Sequence, residues 1–197
     1  MKDNILAITD IANITTGYHF RKSITNDTAS KYYVLQAKNI NDYYEIDYTG
    51  LEKTSITTNN IDKYLLKKKD VIMLAKGVNY YSALINKDLK NFVPTSNLLV
   101  IRAKNNNIMP EYLWWYLNHP NTQNTLKQMS QGVAVRHISK SAMEELEIPI
   151  PDIETQKRIV ILHMLSKREE QLRKNIHRKK EMFLNRMLLN KAKRSKE

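Results

Sequence analysis

From Asp152 to about residue 191 the sequence holds no glycine and no proline and is dominated by Leu, Ile, Met, Lys, Arg, Glu and Gln. One regular conformation suits such a stretch, a long α-helix with Asp152 as its N-cap. Apolar residues recur at Leu162, Leu165, Leu172, Ile176, Phe183 and Met187, close to alternating steps of three and four, with Glu169 and Lys179 as polar interruptions. The spacing predicts an amphipathic helix of about 35 residues, about 50 Å long at ~1.5 Å per residue. A domain of about 150 residues cannot cover such a helix along its whole length, so the stripe asks for a partner helix.

Pro151 marks the change of character and divides the chain into residues 1–151 and 152–197. The whole, 197 residues, suits one domain of usual size plus one added element, with a core large enough to need no staples. Cysteine is absent, which excludes disulfides, thiolate metal sites and cysteine nucleophiles together and agrees with a reducing compartment. The start, "MKDNILAITDIANITTGYHF", mixes acids and polar residues into its apolar positions and is not a leader, and no apolar run approaches the ~20 residues that span a bilayer. The expectation is a cytoplasmic protein.

The net charge of +12 points to a polyanionic partner, of which nucleic acid is the commonest. Its distribution is uneven. Up to residue 155 there are 16 acidic and 18 basic residues, a difference of +2; from Gln156 onward there are 14 basic and 4 acidic, a difference of +10.

Residues 1–151 read as an α+β domain of small mixed sheets. "KYYVLQAKNI" (31–40), "DVIMLAKG" (70–77), "YYSALI" (80–85) and "TSNLLVIRA" (95–103) are rich in aromatic and β-branched residues and predict strands. "MPEYLWWYLNHP" (109–120) predicts a short buried helix with Pro110 in its first turn, and "NTQNTLKQMS" (121–130) a second ending before Gly132. "SAMEELEIPIP" opens with capping-box spacing, Ser141 to Glu144, and closes in a short strand ended by Pro149 and Pro151; Ser139 is a further candidate cap.

Catalytic signatures are sparse. The four glycines, Gly17, Gly50, Gly77 and Gly132, stand apart, which leaves no phosphate-cradling loop and no dinucleotide fingerprint. "PDIETQK" (151–157) has the acids and lysine of a metal-dependent nuclease, yet places them in one helical start rather than on converging strands. His19, His119, His137, His163 and His177 form no pair at ligand spacing, so no metal site is expected. Ser139 near His137 lacks a local acid, although a triad is assembled in space, so a nuclease or transferase stays among the alternatives.

Four loops carry the polar, aromatic and basic residues suited to nucleic acid. "TTGYHFRKS" presents Tyr18, His19, Arg21 and Lys22; "LQAKNIND" presents Gln36, Lys38 and Asn39. "AKGVNYYS" holds Lys76, Gly77, Asn79, Tyr80 and Tyr81, and "SQGVAVRHIS" holds Gln131, Gly132, Arg136 and His137. Arginine grips guanine at two points, glutamine and asparagine grip adenine, and lysine holds phosphate. Each loop alone also fits an ordinary turn with a packed aromatic anchor.

The order of these segments resembles the specificity subunit of type I restriction-modification enzymes, in a half-length form with one target-recognition domain and one long helix. The resemblance rests on "LAITDIANITTGYHF", on "YLLKKKDVIMLAKG" followed by "ALI", on "MPEYLWWYLNHP" and, most specifically, on "HISKSAMEELEIPIPDIETQKRIV". Val133 departs from it, standing where the family usually has a threonine after the glycine. The resemblance implies a non-catalytic subunit that reads double-stranded DNA. It has no cofactor of its own; methyltransferase subunits docked on the helical region use S-adenosylmethionine, and translocating restriction subunits can join. Full-length members have two recognition domains held apart by an antiparallel helix pair, so homodimerisation would supply the missing half and read a bipartite, palindromic site. A DNA-binding regulator that never joins an enzyme is the other reading kept open.

Overall fold

Alternation of buried and exposed side chains builds the first strands. In the computed structural model, which describes residues 4–41, 43–58, 60–130 and 137–194, Ala12 and Ile14 point inward while Asn13, Thr15 and Thr16 stay exposed, the period of a half-buried strand. This strand, β2 (Ala12–Thr16), follows β1 (Ile5–Ala7) and a single helical turn, α1 (Ile8–Ile11). The chain continues through β3 (Tyr32–Leu35), β4 (Glu52–Thr54), β5 (Val71–Leu74), β6 (Ser82–Leu84), β7 (Phe92–Pro94) and β8 (Leu98–Ala103). Helices α2 (Pro110–Asn118), α3 (Pro120–Met129) and α4 (Lys140–Glu144) come next, then β9 (Glu147–Pro149) and α5 (Ile153–Arg194).

Three sheets result. The largest is antiparallel, in the order β2-β8-β5-β6, with Ile14 opposite Ile101 and Ile101 opposite Val71. The second, β4-β3-β7, pairs β3 with β7 in parallel, and the third pairs β1 with β9. The pleat sorts the central strands into two cores. Ile72, Ala83, Leu98 and Val100 pack with Leu35, Ile40, Leu66 and Ile85. Val71, Met73, Leu99 and Ile101, buried on the opposite face, complete the side on which α2 lies against β5 and β6.

The edge of β6 is closed by side chains instead of a strand. Asn118 accepts from the Ser82 backbone N–H at 2.9 Å and donates to the Ser82 carbonyl at 2.9 Å. Gln123 does the same for Tyr80, at 3.1 and 3.0 Å. Two buried amides thereby satisfy edge groups that would otherwise be exposed to pairing with another chain. A third amide, Gln156, donates to the Asn107 and Pro151 carbonyls and accepts from the Met109 N–H.

The chain divides into two compact units, residues 1–157 and 158–197. The expected boundary at 151/152 falls slightly earlier because the first turn of α5 is tied into the first unit by Gln156, which is completely buried. Asp152 caps that turn as the sequence predicts, accepting from the Thr155 N–H at 2.9 Å. The cap of α4 is Ser139, whose hydroxyl accepts from Ala142 N–H at 3.0 Å; Ser141, the capping-box candidate, lies inside the helix. The α+β class holds, with the long helix at 42 residues exceeding its expected 35.

Candidate nucleic-acid interface

Gly17 begins the site because only a bare backbone fits there: a Cβ at this position would lie 2.2 Å from the Thr95 carbonyl oxygen. The close approach lets Tyr18 bridge to the turn between β7 and β8, donating its N–H to the Pro94 carbonyl at 2.7 Å and accepting from Ser96 N–H at 2.9 Å. The Tyr18 ring meets Phe20 and Tyr64 edge to face, with centroids 4.8 and 5.2 Å apart, which fixes the loop after β2. Nearby, the chain leaves β3 of the second sheet into a helical turn at Ala37–Asn39, and beyond the end of β5 it reaches Lys76.

These loops enclose a groove of about 460 Å³ lined by Tyr18, Lys22, Gln36, Lys38, Lys76 and Asn97, among others. Six residues singled out from the sequence, Tyr18, His19, Lys22, Gln36, Lys38 and Lys76, therefore meet in one place. Lys22, Lys38 and Lys76 are all exposed, so the groove combines cations with amides. His137 lies beside it, because its backbone bridges Lys76 and the next residue, Ile138, donates to the Ala75 carbonyl at 2.9 Å. Gly77 has φ +123°, a conformation that suits glycine and turns the loop after Lys76. Tyr81 accepts a 2.9 Å hydrogen bond from the Asn79 amide and packs edge to face on Tyr44 at 5.0 Å.

Two sequence candidates are withdrawn from this surface. Tyr80 has 0% exposure, and its backbone N–H and carbonyl are both bonded to the buried Gln123 amide. Asn39 keeps 6% exposure and serves the local backbone: its side-chain oxygen accepts from Gln36 N–H at 2.9 Å. Arg21 is exposed but does not line the groove. Gln131, Gly132 and Arg136 lie outside the described residues. The sequence reading missed Thr95, Ser96 and Asn97, which line the groove; the polar run "TSN" after Pro94 was the available signal, absorbed into a strand that starts only at Leu98. It also missed Glu52, which pairs with Lys38 at 2.8 Å and accepts from the Gln36 amide. The Lys38 ammonium holds the Glu52 carboxyl below the usual carboxylate range, against the opposing effect of burial.

Sign of charge separates this groove from the other large concavity of the domain, about 410 Å³, where Trp115, Tyr116 and His119 face Glu145 and Glu147. Carboxylates there repel phosphates, whereas the lysines of the first groove attract them. Ser139, considered as a nucleophile, is occupied as the α4 cap and shares a 2.9 Å hydrogen bond with Ser141. Among the described residues no group of three or more potential ligands is placed to hold a metal ion.

The second unit is a helix surface. At 1.5 Å per residue α5 extends about 63 Å. Leu162, Leu165, Leu172, Ile176, Phe183 and Met187 are 45 to 67% exposed along it, and Ile161, Met164, Met182, Leu184, Leu188 and Leu189 widen the apolar surface. Ion pairs Glu169–Arg173 and Glu170–Lys174, at 2.8 and 2.7 Å, support the helix between them. Among the described residues no helix is long and apolar enough to cross a membrane.

A small-sheet domain with a cationic loop groove, followed by a long helix, is the architecture of a DNA-specificity domain, and the comparisons agree. Residues 4–180 match the family of type I restriction modification DNA specificity domains, and the chain belongs to that family. No curated protein matches the sequence significantly. Among solved structures, a chain described under "Structural basis underlying complex assembly and conformational transition of the type I R-M system" superposes with a TM-score of 0.69 at 16% identity. It covers 93% of this chain and 43% of its own length. The HsdS subunit from Thermoanaerobacter tengcongensis gives 0.61 at 15% identity, covering 85% of this chain and 37% of its own. The type I restriction-modification S subunit from M. genitalium gives 0.56 at 17%, covering 86% and 40%. The chain thus spans less than half the length of each of these proteins.

Proposed function

We propose that this chain is the DNA specificity subunit of a type I restriction-modification or methyltransferase complex, non-catalytic and cytoplasmic, with sequence read by the loop groove of its first unit. The observation that carries the reading is the convergence of Lys22, Gln36 and Lys76 on one groove of a domain of this family, with Lys38 beside them in an ion pair with Glu52. Lysines neutralise phosphates and fix register, and an amide discriminates base edges.

The exposed apolar surface of α5 supports a second part of the proposal. Two copies pair through these helices, and the dimer reads a bipartite, palindromic site. With one DNA turn at about 34 Å, a helix of about 63 Å limits half-site separation to under about two turns. Methyltransferase subunits dock on the helical region and bring the S-adenosylmethionine chemistry; a translocating restriction subunit is a further partner. Selection from a randomised duplex library, with a methyltransferase subunit of a type I system present and absent, tests the whole reading. The expected result is two enriched half-sites in inverted orientation and co-purification of a methyltransferase. An enriched site without any methyltransferase association points to a free-standing regulator, and turnover of DNA by the isolated chain overturns the non-catalytic assignment.

A further inference from the structure

Glu52 is an acid bonded to two residues that line a groove suited to phosphate, Gln36 and Lys38, and its cost to DNA binding asks for a return. It comes from β4, where it stands opposite Val34 of β3, so the antiparallel register carries it close to the end of β3 at Leu35, just before Gln36. Both carboxylate oxygens are used: one accepts from the Gln36 amide nitrogen and the other from Lys38 Nζ at 2.8 Å. Gln36 is also fixed at its backbone, where Asn39 accepts its N–H at 2.9 Å and returns an N–H to its carbonyl at 3.0 Å. Glu52 keeps only about a quarter of its side chain exposed, 26%, while Gln36 and Lys38 line the groove.

A glutamine amide left free presents either its oxygen or its nitrogen to a base, since a half-turn of the terminal torsion exchanges them. A carboxylate accepts and never donates, so the bond to Glu52 decides the exchange: nitrogen toward Glu52, oxygen away from it. The amide nitrogen retains a second hydrogen. The fork offered to DNA is then one acceptor and one donor in fixed order, the complement of the adenine N6 amine and N7.

Resting on the DNA-reading proposal above, we propose that Glu52 is a positioning residue that locks the amide of Gln36 in the orientation that reads adenine at one position of each half-site. The carboxylate costs little in affinity because Lys38 neutralises it, and it removes the ambiguity that a free amide would bring to that base pair.

The test is selection from a randomised duplex library by the full-length chain, comparing wild type with Glu52→Gln and Gln36→Ala. Glu52→Gln keeps the shape and both hydrogen-bonding atoms but donates as readily as it accepts, so the lock is lost. Wild type selects adenine at one column of the motif. In both variants that same column loses its adenine preference roughly tenfold while the remaining columns persist. A merely structural role for Glu52 would weaken every column together. Melting curves check that Glu52→Gln folds; should it fail to fold, Gln36→Ala alone carries the prediction. An unchanged motif in Gln36→Ala, a non-adenine base at the affected column, or different columns changed by the two variants overturns the inference. Wild type that enriches no motif at all overturns the DNA-reading proposal itself, which separates the two failures.

Discussion

The two units of this protein solve burial in opposite ways. The first hides polar groups at a cost and gives its buried carboxylate named partners: Asp70, 1% exposed, receives two bonds from Arg102 and one from the Lys67 N–H. The second leaves its Leu, Ile, Met and Phe residues open to solvent and has few internal contacts with which to cover them. One unit therefore covers its own apolar surface, and the other leaves an apolar surface that the proposed dimer would cover. The comparison breaks most visibly at the helix. Leu172→Glu with Ile176→Glu, at positions 46% and 53% exposed, is expected to convert a dimer to a monomer in sedimentation without lowering the stability of the first unit. Affinity for a bipartite duplex then falls roughly a hundredfold, because the second half-site is no longer tethered. A wild-type chain that sediments as a monomer removes the contrast altogether.

In the first unit the expected failure is of stability rather than assembly. Arg102 grips Asp70 with bonds of 2.6 and 2.7 Å and reaches the Leu65 carbonyl at 3.2 Å. The bond to Asp70 holds the guanidinium charged more firmly than usual, opposed by its own partial burial. Arg102→Ala leaves the Asp70 carboxylate in the interior with no counter-charge. It should cost about 3 kcal/mol, the low end for breaking a buried pair, since Arg102 is itself 35% exposed. Urea unfolding followed by tryptophan fluorescence measures it, and a loss below about 1 kcal/mol would show that water replaces the arginine.

What the sequence disclosed follows the same division. The helix announces itself through thirty and more residues without a breaker, and local periodicity is enough to read it. The strands β3, β5 and β8 are legible for the same reason, as runs of apolar and β-branched residues. Strands β1, β4 and β7 are three residues each, and β7 ends in Pro94 and pairs in parallel with a strand far away in sequence, so nothing local marks them. The candidate groove was half legible. Polar loop residues identify themselves, but exposure does not: of the adjacent Tyr80 and Tyr81 one is fully buried and the other half-buried, and only tertiary contacts such as the Gln123 amide on Tyr80 decide which. Glu52 was invisible because its meaning depends on Gln36 and Lys38, which the β3–β4 pairing brings to it.

Charge sharpens the comparison in its smallest measurable form. The helix unit holds most of the basic excess, while the near-neutral unit holds the groove, so total charge and DNA contact are expected to dissociate. Each lysine that neutralises a phosphate contributes about 0.9 to the slope of log affinity against log salt. Lys22→Gln and Lys76→Gln should each lower that slope by about 0.9, whereas Arg178→Gln and Arg186→Gln on the helix should leave it unchanged. All four substitutions remove one positive charge from an exposed side chain, so a general effect of net charge would act on them alike. A slope that falls equally for the helix arginines places DNA against the helix and reverses the assignment of the two units. A slope that falls only for the lysines means that the basic helix serves a protein partner, consistent with an apolar surface that needs covering before any charge on it can matter.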